Sequence, residues 1–264
     1  SFELGLNSSF IKISQNDLEQ NNFTSNLSVI GLGFPVSKKI GLAFSLSPYS
    51  SVGYDLTTTN IVFDESNQSN ILSTYNYHGS GGLNRFIFGL AWNARSTSNT
   101  QLSIGLNFNY LFGTIERETT IFSDQSSTYF IDKSDKIMRA LSPELGIIYS
   151  TFIEDFGDYI INIGLTVQPK SVIHSKMNKI QATFDGPTFI PSSEQTNILF
   201  EDLSMLIEDD FPSSYGLGFS IQDKDKVQWL LALDYRAISA YSTTESEYSL
   251  SPDVMRNYDQ FVLG

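Results

Sequence analysis

The stretch Gln101-Leu102-Ser103-Ile104-Gly105-Leu106-Asn107-Phe108-Asn109-Tyr110-Leu111 decides the fold. Leu102, Ile104, Leu106, Phe108 and Tyr110 fall on one side of a period-two alternation. Gln101, Ser103, Gly105, Asn107 and Asn109 fall on the other. A period of two is the side-chain period of a β-strand. A half-buried strand of a soluble sandwich turns its second face to water, and that face is usually rich in Lys and Glu. Here the second face holds small and neutral polar groups. That pairing of faces is expected of a transmembrane β-barrel, with lipid outside and a lumen of small, polar residues inside.

The same pattern recurs along the chain. Ile40, Leu42, Phe44 and Leu46 alternate with Gly41, Ala43, Ser45 and Ser47. Phe86, Phe88, Leu90 and Trp92 alternate with Ile87, Gly89, Ala91 and Asn93. Further examples are Tyr159–Val167, Tyr215–Ile221 and Val227–Arg236, and only the last carries charges on its second face, Asp234 and Arg236. Short polar turns are expected at Ser37–Lys39, Ser96–Thr100, Glu154–Asp158 and Asp223–Lys226. Longer loops are expected at Gln15–Asn22, Phe63–Asn70, Asp124–Ser127, Gly186–Asp210 and Thr244–Asn257. Alternation of short and long connections is the periplasmic–extracellular asymmetry of outer-membrane barrels. It gives about ten antiparallel strands. Some hairpins exceed the ~9–11 residues that a tilted strand needs to cross a bilayer. Their surplus should project as extracellular ribbon.

Composition bounds the function. The 264 residues hold no cysteine, which removes thiolate metal sites, cysteine nucleophiles and disulfides. Charged residues make up 17%, against ~25% in average soluble domains. The net charge of −13 argues against nucleic acid as a partner, because phosphate would be repelled. Mean hydropathy is −0.11, and no apolar run is long enough for a transmembrane helix. No linker divides the chain, so residues 1–264 read as one barrel domain in the bacterial outer membrane, in contact with membrane lipid. No cofactor and no metal are expected. Thirteen Tyr and twenty Phe suit the aromatic girdles of a membrane barrel.

Several stretches resemble the FadL-like outer-membrane transport proteins, especially their Bacteroidetes branch. They are Ile30-Gly-Leu-Gly-Phe-Pro-Val-Ser-Lys, Leu46-Ser-Pro-Tyr-Ser-Ser-Val-Gly-Tyr, Tyr77-His-Gly-Ser-Gly-Gly-Leu-Asn-Arg, Gly105-Leu-Asn-Phe-Asn-Tyr-Leu-Phe-Gly-Thr-Ile-Glu-Arg and Phe211-Pro-Ser-Ser-Tyr-Gly-Leu-Gly-Phe-Ser. The resemblance implies a fourteen-stranded barrel with an N-terminal hatch. It also implies passive movement of hydrophobic or amphipathic molecules, such as fatty acids and aromatic hydrocarbons, toward a lateral opening. Relative to that pattern the hatch would precede Ser1 and about four strands would follow Gly264. The chain is therefore expected to be incomplete at both ends, with Phe2–Ile13 and Tyr258–Gly264 as the edges of an open sheet.

Candidate functional residues cluster in one hairpin. Pro48 interrupts its strand and has no N–H for the ladder, so it marks an edge, a bulge or a kink. Tyr49, Val52 and Tyr54 flank it and could line an apolar path. Gly79, Gly81 and Gly82 interrupt the next strand, where glycine permits bulges and close backbone approach. Together these seven residues are the candidate ligand path or lateral gate. The competing reading places Pro48 above the membrane, where pairing is looser. His78 and Ser80 share the i, i+2 spacing of an outer-membrane lipase pair, but no orienting Asn or Asp accompanies them. Asp202, Glu208, Asp209 and Asp210 crowd the expected long loop, with Leu199, Leu203, Leu206 and Ile207 at helical spacing. A short loop helix, a calcium site or a solvated acidic loop would each account for them. Three function classes remain open. They are passive transport of hydrophobic molecules, a partner-binding barrel subunit that acts on no substrate, and a membrane lipase.

Overall fold

The structure is a computed structural model that describes residues 1–15, 18–64, 69–153, 159–186, 189–223, 230–239 and 258–263. It is all β and antiparallel. The strands are β1 (Phe2–Gln15), β2 (Leu18–Pro35), β3 (Ile40–Asp64), β4 (Ser69–Ser96), β5 (Thr100–Ser123) and β6 (Thr128–Ile153). They continue as β7 (Tyr159–Gln168), β8 (Ser171–Asp185), β9 (Thr196–Phe211), β10 (Ser214–Asp223), β11 (Leu230–Ile238) and β12 (Tyr258–Leu263). All belong to one sheet with the order β1-β2-β3-β4-β5-β6-β7-β10-β11-β12, and β8 and β9 branch from β6.

The branch reconciles twelve strands with the expected ten. The inner half of β6, Leu145–Ile153, pairs with β7, and its outer half, Thr128–Ala140, pairs with β8. Pro169 separates β7 from β8, and Pro212 separates β9 from β10. Proline lacks the N–H a ladder requires, so each long pass is cut in two at the same level. Among the described residues β1 pairs only with β2 and β12 only with β11, so the sheet is open at those edges. A curled, open antiparallel sheet of this kind fits the wall of a β-barrel.

The two faces are sorted as the alternation requires. Leu102, Ile104, Leu106, Phe108 and Ile161 are half-buried by lateral neighbours alone, while Ile163 and Leu231 are exposed. None of them enters a core between two sheets. Phe44, Phe88 and Phe108 stand opposite one another on adjacent strands. Their rings lie 5.3 and 6.4 Å apart, an aromatic row on the outer face. On the other face Asn107 Nδ2 donates to Glu144 Oε1, Asn109 Nδ2 to Ser142 O and Asn162 Nδ2 to Ser220 Oγ. An inward amide satisfied from the neighbouring strand costs the wall nothing in a dry or wet lumen.

Strand length divides the molecule into two storeys. β4 alone has 28 residues, and β3, β5 and β6 have 25, 24 and 26. These exceed the ~9–11 residues that span a bilayer. The outer storey is the more highly charged part of the wall, and several of its charges are paired. Lys136 lies 3.0 Å from Asp209, Lys170 2.7 Å from Asp210 and Lys179 3.5 Å from Asp132. It also has a small core of its own, with Ile131, Ala182 and Phe184 packed beneath Tyr129, Ile180 and Phe189.

One expectation fails here. Gly186–Asp210 is not a long loop and, among its described residues, contains no helix. Its second part is β9, a 16-residue strand paired with β8 from Ser171–Phe211 to Phe184–Thr196. The helical spacing of Leu199, Leu203, Leu206 and Ile207 is a by-product of two register shifts against β8. Each shift inserts residues and scrambles the period of two. The unpaired edge of β8 supplied the hydrogen bonds that settled the choice. Asp209 and Asp210 pair with Lys136 and Lys170, and His174 Nδ1 lies 3.3 Å from Glu208, so these carboxylates are spread along a strand and each meets a side chain of this chain. That arrangement departs from both the calcium-loop and the solvated-loop readings. The loop expected at Gln15–Asn22 is also shorter, since β2 begins at Leu18. The connections at Glu154–Asp158 and Thr244–Asn257, most of Asp223–Lys226, and Val227–Trp229 lie outside the described residues.

Candidate functional site

The seven candidate residues fall in one stretch of the β3–β4 hairpin. Pro48 is opposite Asn84, and the register then shifts so that Ser50 is opposite Leu83. Tyr49 is the extra residue of that bulge. Beyond it Val52 faces Gly81 and Tyr54 faces Gly79. The ring of Tyr54 covers Gly79, and a Cβ there would come within 2.2 Å of it. Glycine lets the ring lie flat on the strand, a recurring cross-strand device.

Gly81 and Gly82 have φ of 101° and 153°, which L side chains rarely adopt. A Cβ on Gly81 would sit 2.1 Å from Thr114 O, and one on Gly82 2.3 Å from Ser50 O. Gly113, on β5, would bring its Cβ 2.1 Å from Gly82 O. Three glycines therefore let the backbones of β3, β4 and β5 approach closely at one point. Sequence reasoning found Gly81 and Gly82 but missed Gly113. Its signal was present, since it follows Leu111 on the inward-facing parity of β5.

The level of this site follows from register. Leu46 faces Phe86, which faces Tyr110, and the outward apolar series of β5 ends one pair farther at Phe112, before Thr114 and Glu116. Pro48 faces Asn84, which faces Phe112, one pair farther out. The break thus lies at the outer rim of the apolar band. It coincides with a change in the wall. Among the described residues β2 pairs with β3 only through Ile30–Pro35 and Gly41–Leu46. Above Leu46 the two strands part, while the β3–β4 ladder runs on to Asp64.

Inside, the wall below this level is nearly bare. Gly41, Ala91, Gly105, Gly146, Thr166 and Gly216 stand opposite one another in a row that ends at Arg236. All of these but Gly41 help line a cavity of about 490 Å³ whose charged groups are Glu144, Asp234 and Arg236. Above it lies a buried polar network. Gln168 Nε2 donates to Ser142 Oγ at 2.9 Å, Ser214 Oγ to Gln168 Oε1 at 3.3 Å, and Arg236 Nη2 to Ser214 Oγ at 3.4 Å. Next comes an apolar layer of Tyr49, Leu111, Ala140 and Phe211 around a cavity of about 280 Å³. The Tyr49 and Phe211 rings are 6.2 Å apart, and the Arg85 guanidinium lies 5.9 Å from the Tyr49 ring centroid. Tyr49 belongs to β3 and Phe211 to β9, far apart in the sheet, so their contact reports how tightly the sheet curls. Phe211, Ser142 and Gln168 were not singled out from sequence, because nothing in a strand pattern says which distant strands meet.

His78 and Ser80 stand opposite Asp55 and Gly53. No hydrogen bond joins them among the described residues. His174 is an exposed residue of β8.

One family model matches, that of BamG, over residues 1–264. No curated protein and no solved structure matches the chain. The match is to BamG rather than to the FadL-like transporters that several stretches resemble. It agrees with the all-β wall in pointing to the bacterial outer membrane or its periphery, with a β-barrel-associated role. The chain therefore belongs to the BamG family, a family related to outer-membrane β-barrel assembly.

Proposed function

We propose that this protein is a partner-binding subunit of outer-membrane barrel assembly, acting through its surfaces and not through bond chemistry. The family match over residues 1–264 carries the reading. Two structural features support it. The outer storey, with its buried Lys136–Asp209 pair and its Ile131–Ala182–Phe184 core, is built as a rigid ribbon and not as a set of loops. Such a ribbon suits contact with other outer-membrane proteins. The interior is also crossed by the Tyr49–Phe211 layer, which obstructs an axial path.

The test is controlled depletion of the full-length protein in its own cells. Other β-barrel proteins should fall in the outer membrane before uptake of a labelled fatty acid changes. Unchanged barrel levels together with reduced uptake would reverse the conclusion.

Passive transport of hydrophobic or amphipathic small molecules is the second reading. The cavity of about 490 Å³ beneath the polar network favours it. On that reading Tyr49→Ala would open the layer and raise uptake at equal surface expression.

A further inference from the structure

We infer that the outer edge of β3, from Ser50 to Phe63, is a strand-docking site that takes one extended, weakly charged strand of a second outer-membrane protein. The inference rests on the partner-subunit reading and names the surface through which it operates. Its first ground is hydrogen-bond valence. Above Leu46 β3 is paired on one side only, by β4, among the described residues. Half of its backbone donors and acceptors there face away from the sheet, and a strand is what complements them.

The second ground is a contrast within the molecule. Natural sheets blunt exposed edges with charges, prolines and bulges. β9, whose outer edge is likewise unpaired among the described residues, has such devices. Its sequence holds Glu201, Asp202, Glu208, Asp209 and Asp210, and its ladder with β8 shifts register twice. β3 has almost none of these above its bulge. Ser50–Phe63 contains a single charged residue, Asp55, no proline and no lysine, and its register with β4 is unbroken. In Thr57-Thr58-Thr59-Asn60-Ile61-Val62 every residue but Asn60 is β-branched and favours a strand. An edge so long and so neutral is an aggregation hazard unless something covers it. Its low charge selects a partner strand of low charge, since an unmatched Lys or Glu would be desolvated against it.

The third ground is that the edge is held in this position. Pro48 and the Tyr49 bulge end the pairing with β2. Gly81, Gly82 and Gly113 then draw β3, β4 and β5 together, and no side chain could replace them without displacing a carbonyl. Five residues on three strands turn β3 away from β2 at one level, at the outer rim of the apolar band, and Ser50–Phe63 runs outward from there. The site therefore faces the extracellular side and is distinct from a side exit through lipid.

The experiment uses the full-length protein in its native outer membrane. A photoreactive amino acid replaces Thr59 or, separately, Ile61, whose side chain is 68% exposed. Leu206 on β9, 81% exposed, serves as the control position. Cross-linked peptides are sequenced. The expected product at Thr59 and Ile61 is an alternating, weakly charged segment of another outer-membrane protein. Moving the probe from Thr59 to Ile61 should move the attachment by about two residues toward the partner's N-terminus, as antiparallel pairing requires. Thr58→Lys with Asn60→Lys should lower the yield about tenfold, because charges on an edge oppose pairing. Attachment to residues 18–29 or elsewhere in this chain, attachment to β3 of a second copy, the same product from Leu206, or no register shift would each overturn the inference. Failure here and failure of the assembly role are separable. If depletion lowers barrel levels but the double-lysine variant restores them fully, the docking site is wrong and the assembly role stands. If depletion leaves barrel levels unchanged, the assembly role is wrong whatever the edge binds.

Discussion

Among single residues the glycines separate into two kinds, and the difference is measurable. Gly82 has a positive φ and a carbonyl where its Cβ would go, whereas Gly164, also in the wall, has open space there. Gly82→Val should cost about 2–4 kcal/mol through backbone strain and displacement. Gly164→Ala should change stability by less than about 0.5 kcal/mol. Urea unfolding of the full-length protein in lipid vesicles distinguishes the two, and equal effects would mean that the close approach of β3, β4 and β5 is not maintained. Ser142 makes a second test. It is fully buried and accepts from Gln168 while Asn109 donates to its carbonyl. Ser142→Val removes the hydroxyl and leaves the Gln168 amide short of a buried partner, at a cost of about 1–3 kcal/mol in the same assay. Gly81 and Gly82 were legible in the sequence as a strand irregularity. Gly113 showed only its inward parity and Ser142 gave no signal, because their importance depends on what the neighbouring strand brings.

At the level of elements, β8 and β9 show where local pattern stops being informative. The helical spacing of Leu199, Leu203 and Leu206 is real in the sequence, yet these residues lie in a strand. The paired edge of β8 and two bulges outweighed a weak local preference, as tertiary context commonly does. The β6–β8–β9 ribbon is then locked by charge. Lys136 and Asp209 are only 14% and 7% exposed, so Lys136→Met strands a carboxylate in a poorly solvated place. That should cost about 3 kcal/mol. Lys133→Met, whose partner Glu118 lies 3.9 Å away at a half-exposed position, should cost less than about 1 kcal/mol. Amide hydrogen exchange across Ser171–Phe211 is the readout. Faster exchange in the Lys136 variant alone is expected, and similar exchange in both would show that the buried pair does not hold the ribbon.

For the molecule as a whole, the two storeys should come apart energetically. The outer core of Ile131, Ala182 and Phe184 packs, among the described residues, against Tyr129, Ile180 and Phe189 of the outer storey, so Phe184→Ala should loosen the ribbon tip at a cost of about 3–4 kcal/mol. Exchange should rise in Phe122–Ile131 and Ile180–Gly186 while Leu102–Phe108 stays protected. Uniform loss of protection would show one cooperative unit. Such a division of labour is consistent with a barrel wall that anchors and a ribbon that engages other outer-membrane proteins. Fold class, the two-faced alternation of the strands and the short turns at Ser37–Lys39 and Ser96–Thr100 were legible in the sequence alone, because alternation of side chains along a strand is a local property. What only the tertiary structure decided is where strands leave one another. The parting of β2 from β3 at Leu46, the splitting of β7 from β8 and β9 from β10 at two prolines, and the Tyr49–Phe211 contact all depend on sheet curl. Curl is the sum of many small twists over a dozen strands, and no window of sequence contains it.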